Sequence, residues 1–151
     1  MKRLLGLLLV MGMVGCGKTV DGSKVVVRDG LVYEINSETP FTGDVVSKYE
    51  NGQKEAEGTF KDGKAEGLAT WWAENGQKRG EGTWKDGKLE GLLTQWHENW
   101  QKRQEGTYKD GKPEGLLTRW RKNGQKLSET TYKDGKKVSE TKWDKEGNEI
   151  K

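Results

Sequence analysis

The sequence predicts an all-β fold: an elongated, single-layer antiparallel meander of repeated β-hairpins. Two turn motifs recur with a spacing of 24 residues along most of the chain. The 22 glycines are spread along the chain, and each would cost a helix interior about 1 kcal/mol relative to alanine. Hydrophobic residues make up only 30% of the chain and charged residues 34%, too few apolar side chains for a large two-sided core. Seven Trp and four Tyr argue against disorder, because disordered chains are usually poor in aromatic residues.

Two glycine motifs define the repeat, and a third recurs between them. The first, Asn-Gly-Gln-Lys, begins at Asn51, Asn75 and Asn123, and returns at Asn99 with Trp100 in place of the glycine. The second, Asp-Gly-Lys, begins at Asp62, Asp86, Asp110 and Asp134, and the third, Glu-Gly-Leu, at Glu66, Glu90 and Glu114. Asn-Gly and Asp-Gly favour type I′ hairpin turns, in which both central residues have positive φ. We therefore expect two-residue type I′ turns at both motifs. An earlier hairpin at Asp29-Gly30, flanked by residues 25–27 and 31–35, brings the meander to about twelve strands.

Two-residue turns also predict the strand register. A turn at Asn75-Gly76 places Trp84 opposite Gly67. The same spacing pairs three further rings with glycines: Phe60 with Gly43, Tyr108 with Gly91 and Tyr132 with Gly115. We expect each ring to lie flat over the glycine backbone, so that this face of the sheet is the packed one.

The opposite face carries a row of tryptophans with 24-residue spacing. In the same register Arg79 falls opposite Trp72 and Arg103 opposite Trp96, which predicts cation–π pairs of about 0.5–1 kcal/mol each. Such a row stiffens the sheet in one interpretation. In the other it binds a partner, since Trp and Arg are enriched at the centres of protein interfaces. The candidate binding residues are Trp72, Trp96, Trp120, Arg79, Arg103 and Trp100.

Trp100 stands where the other Asn-Gly motifs have glycine. A bulky residue adopts positive φ only at a cost. We therefore expect either that the loop at residues 98–101 is not type I′ or that the Trp100 side chain is held out for a contact.

The N-terminus has the pattern of an export signal. Lys2 and Arg3 precede an apolar run at residues 4–14, which is shorter than the roughly 20 residues of a membrane-spanning helix. The sequence Met13-Val14-Gly15-Cys16 resembles the lipobox of bacterial lipoproteins. The resemblance implies acylation of Cys16, removal of the preceding residues and anchoring to the cell envelope, at the outer membrane in a Gram-negative cell. The alternative is an ordinary cleaved signal with an incidental cysteine.

Four regions follow from these patterns. Residues 1–15 form the signal peptide, 16–24 a lipidated linker, 25–40 an N-terminal hairpin with an entry loop, and 41–151 the repeat array. The last repeat is degenerate, because Val138-Ser139-Glu140 stands in place of Glu-Gly-Leu. Terminal repeats commonly depart from the consensus in this way, since they cap the array.

The repeat resembles the bacterial variant of the MORN repeat. Residues 49–54, 57–64 and 66–68 carry its phrases, and residues 40–43 are similar to the entry into such arrays. The resemblance implies a single-layer sheet of hairpins. Some members of that family are described as putative antitoxins of the YwqK type and others as lipoproteins. Their repeats are more often regarded as protein-binding or dimerising scaffolds than as lipid-binding ones.

Composition restricts the chemistry. His97 and Cys16 are the only histidine and cysteine, which excludes a Cys/His zinc site and an intrachain disulfide. Without Lys2 and Arg3 the chain has 25 basic and 24 acidic residues, and this balance argues against nucleic-acid binding. We expect no enzymatic activity and no cofactor.

The sequence therefore predicts a membrane-anchored, non-enzymatic protein whose extended sheet binds another protein or a second copy of itself. The alternatives are an antitoxin or immunity protein of an envelope toxin system, and a module that binds glycans or lipid headgroups. The sequence does not identify the partner.

Overall fold

The computed structural model describes residues 17–150, and the predicted signal peptide and Cys16 lie outside them. The strands are β1 (Lys18–Asp21), β2 (Val25–Arg28), β3 (Leu31–Glu34), β4 (Gly43–Lys48), β5 (Lys54–Lys61), β6 (Lys64–Trp72), β7 (Lys78–Lys85), β8 (Lys88–Trp96), β9 (Lys102–Lys109), β10 (Lys112–Trp120), β11 (Lys126–Lys133), β12 (Lys136–Trp143) and β13 (Glu149–Ile150). A 3₁₀ turn at Gly22–Lys24 is the one helical element of this part of the chain.

Eleven strands form one open sheet, in the order β1, β4 and then β5 to β13. From β4 onward every strand pairs antiparallel with the next along the chain, which confirms the predicted meander. The start of the sheet differs from the prediction. The hairpin at Asp29-Gly30 is present, but β2 and β3 form a separate two-stranded sheet. Residues 18–21, predicted as linker, form β1, which runs parallel to β4.

A small apolar cluster closes the first end of the array. Val20, Phe41 and Val45 are buried there, with Val25, Val32 and Phe60 packed against them. The backbone joins the hairpin to the array at the same place. The amide of Val32 donates to the carbonyl of Gly63 at 2.8 Å, and the amide of Gly63 donates to Phe41 at 2.8 Å. The separate hairpin therefore covers the first Asp-Gly turn.

The two turn motifs form different turns. At Asp62-Gly63 both residues have positive φ, 49° and 78°, as a type I′ turn requires, and the other Asp-Gly motifs behave alike. At Asn75-Gly76 only Gly76 has positive φ, and its amide donates to the carbonyl of Ala73. The expected type I′ turn at Asn-Gly is therefore wrong. The loop is one residue longer, and the Asn75 side chain closes it by accepting a hydrogen bond from the amide of Gln77 at 3.0 Å.

The longer loop explains where the predicted register holds and where it fails. Trp84 lies opposite Gly67 as expected, and the other three ring–glycine pairs are also confirmed. Beside the Asn-Gly loops the register shifts by one residue. Trp72 therefore pairs with Lys78. The predicted pairing of Arg79 with Trp72 is wrong, and so is that of Arg103 with Trp96, which lies opposite Lys102.

The glycines opposite the rings have another role than the one expected. No atom lies within 4 Å of the position that a Cβ on Gly67 would take, so the Trp84 ring does not cover it. Gly67 has a φ of 79° where β6 bulges against β5, a conformation that favours glycine. A ring that does cover a glycine is that of Trp71, because a Cβ on Gly80 would meet its indole at 2.2 Å.

Candidate interaction surface

A three-residue unit repeats along one face of the sheet. The Lys54 Nζ atom lies 5.5 Å from the ring centre of Trp72 and 2.5 Å from a carboxylate oxygen of Glu57. The same lysine–tryptophan contact recurs at 5.8, 5.9 and 5.5 Å for Lys78 with Trp96, Lys102 with Trp120 and Lys126 with Trp143. Their glutamates are Glu81, Glu105 and Glu129. We call this surface the Lys–Trp face. The cations that pair with the tryptophans are thus lysines and not the predicted arginines.

The rings of the Lys–Trp face are less accessible than the sequence suggested. Trp72, Trp96 and Trp120 are half-buried. Each is covered in part by its lysine, and a cation over an indole contributes about 0.5–1 kcal/mol at exposed sites. These contacts lie within the sheet itself, which favours a structural role for the three rings.

Buried threonines and the glutamates beside them occupy the middle of this face. Thr70, Thr94 and Thr118 are buried, with exposures of 5%, 4% and 8%. Thr70 lies opposite Glu81, and Thr94 donates from Oγ1 to Glu105 at 3.3 Å. Glu105 therefore holds both a threonine and a lysine, and the other glutamates of this face each hold a lysine, which leaves these carboxylates little freedom to act on a ligand.

The accessible apolar side chains of this face are three leucines. Leu68, Leu92 and Leu116 are 58%, 52% and 53% exposed. They lie on β6, β8 and β10, and since two strands separate successive members they form a row with a spacing of about 10 Å. Each follows the left-handed glycine of a Glu-Gly-Leu motif. We call this set the leucine row.

Trp100 adopts the backbone conformation of the glycine that it replaces. Its φ is 67°, and its amide donates to His97 at 3.2 Å, as Gly76 donates to Ala73 at 2.8 Å. The expectation that the loop at residues 98–101 is not type I′ is confirmed, because Asn99 lacks the positive φ that such a turn requires. The other Asn-Gly loops share this form, so the replacement of glycine by Trp100 is not its cause. The side chain is 67% exposed, the highest value among the large hydrophobic residues of the described chain. Strain of this kind costs about 1–2 kcal/mol.

Side chains at the Asn-Gly loops join each loop to the following repeat. Tyr49 Oη donates to the carbonyl of Trp72 at 2.8 Å, and Arg121 donates to that of Trp143 at 2.8 Å. His97 Nε2 lies 2.9 Å from the carbonyl of Trp120, so this nitrogen carries the hydrogen. The sequence interpretation missed these links. A hydrogen-bonding side chain two positions before three of the four Asn motifs was the signal.

The glutamate of each Glu-Gly-Leu motif makes a similar link at the other end of the hairpins, where the Asp-Gly turns lie. Glu66 accepts a hydrogen bond from the amide of Asp86 at 3.0 Å. The same bond joins Glu90 to Asp110 at 2.7 Å and Glu114 to Asp134 at 2.7 Å. These repeated carboxylates thus join each hairpin to the next one along the sheet.

The segments that match a known family coincide with pairs of strands in the sheet. Residues 41–62, 65–86 and 113–134 match the family model of the MORN repeat variant. In these segments the chain is similar to MORN repeats. Each MORN-type repeat is one pair of strands joined by an Asn-Gly loop and ends at the Asp of an Asp-Gly turn. The strands β8 and β9, which carry Trp100 between them, lie outside the matched segments but share the register. No curated protein matches the chain.

The MORN-type repeats bring few reactive groups together. Among residues 17–150 no group of three or more His, Cys, Asp and Glu side chains is placed to hold a metal ion. In the same part of the chain no helix has the length and apolar character needed to cross a bilayer. Burial raises the pKa of Tyr108, the clearest perturbation on the packed face. This tyrosine stays protonated at neutral pH, with Gln104 donating to its oxygen at 3.4 Å.

Proposed function

We propose that this protein is a non-enzymatic binding module, tethered to the bacterial cell envelope by a lipid on Cys16, whose repeat sheet binds another protein through the leucine row. The MORN-type repeats support a repeat-based binding role. The tether rests on the lipobox resemblance, since Cys16 lies outside the described residues.

The leucine row is the observation that carries the binding proposal. Scattered exposed leucines are ordinary, but three in one line with the same neighbours are not scattered. Leu68 and Leu92 lie opposite the exposed residues Thr83 and Thr107, whose hydroxyl groups offer hydrogen bonds beside the apolar side chains. A ligand lying across the strands would contact every member of the row. An extended protein segment or a second sheet fits this spacing.

A protein ligand is favoured over a glycan by the state of the tryptophan rings. Sugar rings stack on open aromatic faces, but Lys78 lies over Trp96 and Lys102 over Trp120. The non-enzymatic role is supported by the carboxylates, which are engaged in repeated structural bonds such as that of Glu66 with Asp86.

The binding proposal is tested with matched triple variants. The first carries Leu68→Thr, Leu92→Thr and Leu116→Thr, which keeps the β-propensity and removes apolar surface. The control carries Val27→Thr, Ile35→Thr and Val138→Thr, at residues that are 66%, 51% and 64% exposed elsewhere on the molecule.

Both variants and the wild type are compared by crosslinking in native membranes and by sedimentation of the purified protein. We expect the leucine variant to lose its crosslinked partner, or its self-association, by at least tenfold while its melting temperature is retained. A leucine variant that still crosslinks or self-associates like the wild type, or a control that loses as much, contradicts the proposal.

A further inference from the structure

The parallel strand β1 determines where the chain enters the sheet. Lys18 lies opposite Gly43, and Gly43 lies opposite Phe60, two residues before the first Asp-Gly turn. The first described residues are therefore at the edge formed by the Asp-Gly turns. We call it the Asp-Gly edge, made of the turns at residues 62–63, 86–87, 110–111 and 134–135, and call the opposite one the Asn-Gly edge. The β2–β3 hairpin covers the turn at residues 62–63, so the other three turns are the open part of this edge.

We propose that the sheet stands on the membrane by its Asp-Gly edge, with the lysines of that edge among the lipid headgroups. The inference rests on the proposed lipidation of Cys16. Only Gly17 separates Cys16 from Lys18, so the acylated residue lies within about 7 Å of the start of β1. A tether this short keeps the edge where it is attached close to the bilayer.

The lysines of this edge differ from those of the Lys–Trp face in the residues that lie beside them. Two lysines face each other across each of the four turns of this edge: Lys61 and Lys64, Lys85 and Lys88, Lys109 and Lys112, and Lys133 and Lys136. Like charges directly opposite one another destabilise a hairpin, so the fold alone does not account for four such pairs. Among residues 17–150 only Lys88 of these eight forms an ion pair, with Asp110 at 3.5 Å, whereas the lysines of the Lys–Trp face each hold a glutamate. Unpaired ammonium groups suit the phosphates of lipid headgroups.

The charge of the edge limits its role to orientation. Eight lysines stand beside four aspartates at the turns and three glutamates of the Glu-Gly-Leu motifs, which leaves these residues with a net charge of +1. Electrostatic attraction of one net charge does not hold a protein on a membrane. The acyl chains provide the attachment, and the edge decides which way the sheet points.

This orientation places Trp100 and the leucine row at different distances from the bilayer. Strand β8 has nine residues and spans about 30 Å, so Trp100 on the Asn-Gly edge is about that far from the headgroups. Leu92 is four residues from the start of β8 and lies about 13 Å above the Asp-Gly edge. A partner on the leucine row would thus lie close to the bilayer.

The orientation is measured by energy transfer from single labelled positions to the membrane surface. Acylation uses the sulfur of Cys16, and the chain has no other cysteine, so one introduced cysteine gives a single reactive thiol. The variants are Lys85→Cys on the Asp-Gly edge and, as the matched control, Lys122→Cys on the Asn-Gly edge. Each carries a donor fluorophore on the lipidated full-length protein. The vesicles contain phosphatidylethanolamine and phosphatidylglycerol, with an acceptor on a small fraction of the headgroups.

We expect transfer at position 85 to be several-fold more efficient than at position 122. Equal or reversed efficiencies overturn the orientation. Adding Lys61→Gln, Lys64→Gln, Lys109→Gln and Lys112→Gln reduces the ratio at least twofold, because these lysines hold the edge at the headgroups; an unchanged ratio overturns their role.

Flotation of the same samples separates the two proposals. Protein that floats with the vesicles and shows equal transfer at both positions retains the lipid anchor and refutes only the orientation. Protein that does not float, and whose mass shows no acyl groups, refutes the anchor and the orientation together.

Discussion

Trp71 lies directly over Gly80 on the neighbouring strand, so closely that a Cβ on Gly80 would meet the indole at 2.2 Å. The same indole packs edge-on against Trp84, with 6.2 Å between ring centres. In a sheet with few aliphatic residues, this contact of two rings and a glycine is a main packing element of the central strands.

Gly80→Ala should therefore destabilise the protein by about 1–3 kcal/mol, the usual cost of overpacking. Denaturant unfolding of the variant measures this loss. In a Trp71→Leu background the same change should cost much less, because the indole is gone. Equal costs in both backgrounds would place the strain elsewhere.

Gly67→Ala should destabilise the protein by about 1–2 kcal/mol for a different reason. There is open space beside Gly67, but its φ of 79° is unfavourable for residues with a side chain. Gly67→Asn should cost less, since Asn tolerates the left-handed region better than Ala. Thermal unfolding of the two variants distinguishes them, and an Asn variant as unstable as the Ala variant would contradict a backbone cause.

Trp100→Gly should stabilise the isolated protein by about 1 kcal/mol, because glycine occupies the left-handed position without strain. If the exposed indole contacts a partner, the same change weakens crosslinking in native membranes. Leu127→Thr is a control, since Leu127 is 37% exposed and its backbone is extended. A Trp100→Gly variant less stable than the wild type would show that the indole stabilises the fold.

Cys16→Ser should abolish acylation and release the protein from the membrane fraction. Metabolic labelling with palmitate, followed by fractionation, measures both effects. Ser23→Ala, a change in the short 3₁₀ turn, serves as a control that keeps the cysteine. Labelling that persists in the Cys16→Ser variant would show that the lipobox interpretation is wrong.

The hairpin formed by β12 and β13 should become less stable in acid. Hydrogen bonds from the side chain and amide of Asn148 lower the pKa of Asp144 in the folded protein. A lowered pKa means that the contribution to stability is complete above the ordinary Asp pKa and is lost as the pH falls through the folded value. Amide exchange at Asn148 should therefore accelerate, relative to other amides, as the pH drops below about 4. Asn148→Ala should raise the pKa of Asp144, and an unchanged NMR titration would exclude this pair as the cause.

Turn residues account for how much of the fold could be predicted. Asp62-Gly63 determines both its own turn and the pairing of Phe60 with Ala65, because a two-residue turn fixes the register of the residues beside it. Asn75-Gly76 gave the pairing of Trp84 with Gly67 but not that of Trp72. The loop there begins at Ala73, and the extra residue enters as a bulge beside Trp72, a detail that the Asn-Gly pair does not encode.

The site could be predicted less well than the fold. The row of Trp72, Trp96 and Trp120 was visible from its period. The cation over each ring is a lysine of the preceding strand, such as Lys54 over Trp72, and not the residue that the Asn-Gly loop places opposite the ring. The exposure of Leu68 and the half-burial of Trp72 depended on which neighbours cover them. A period shows which residues are equivalent and does not show how much of each is accessible.

The sequence by itself determined the repeat, the strands and most of the register, because each of these follows from turn chemistry within a dozen residues. Only the tertiary structure decided that β1 runs parallel to β4, that Glu66 reaches the amide of Asp86, and that the Asp29-Gly30 hairpin stands apart from the main sheet. These contacts join elements about 20 residues or more apart. Their stability depends on the packing and hydrogen bonding of whole strands, which local propensities do not specify.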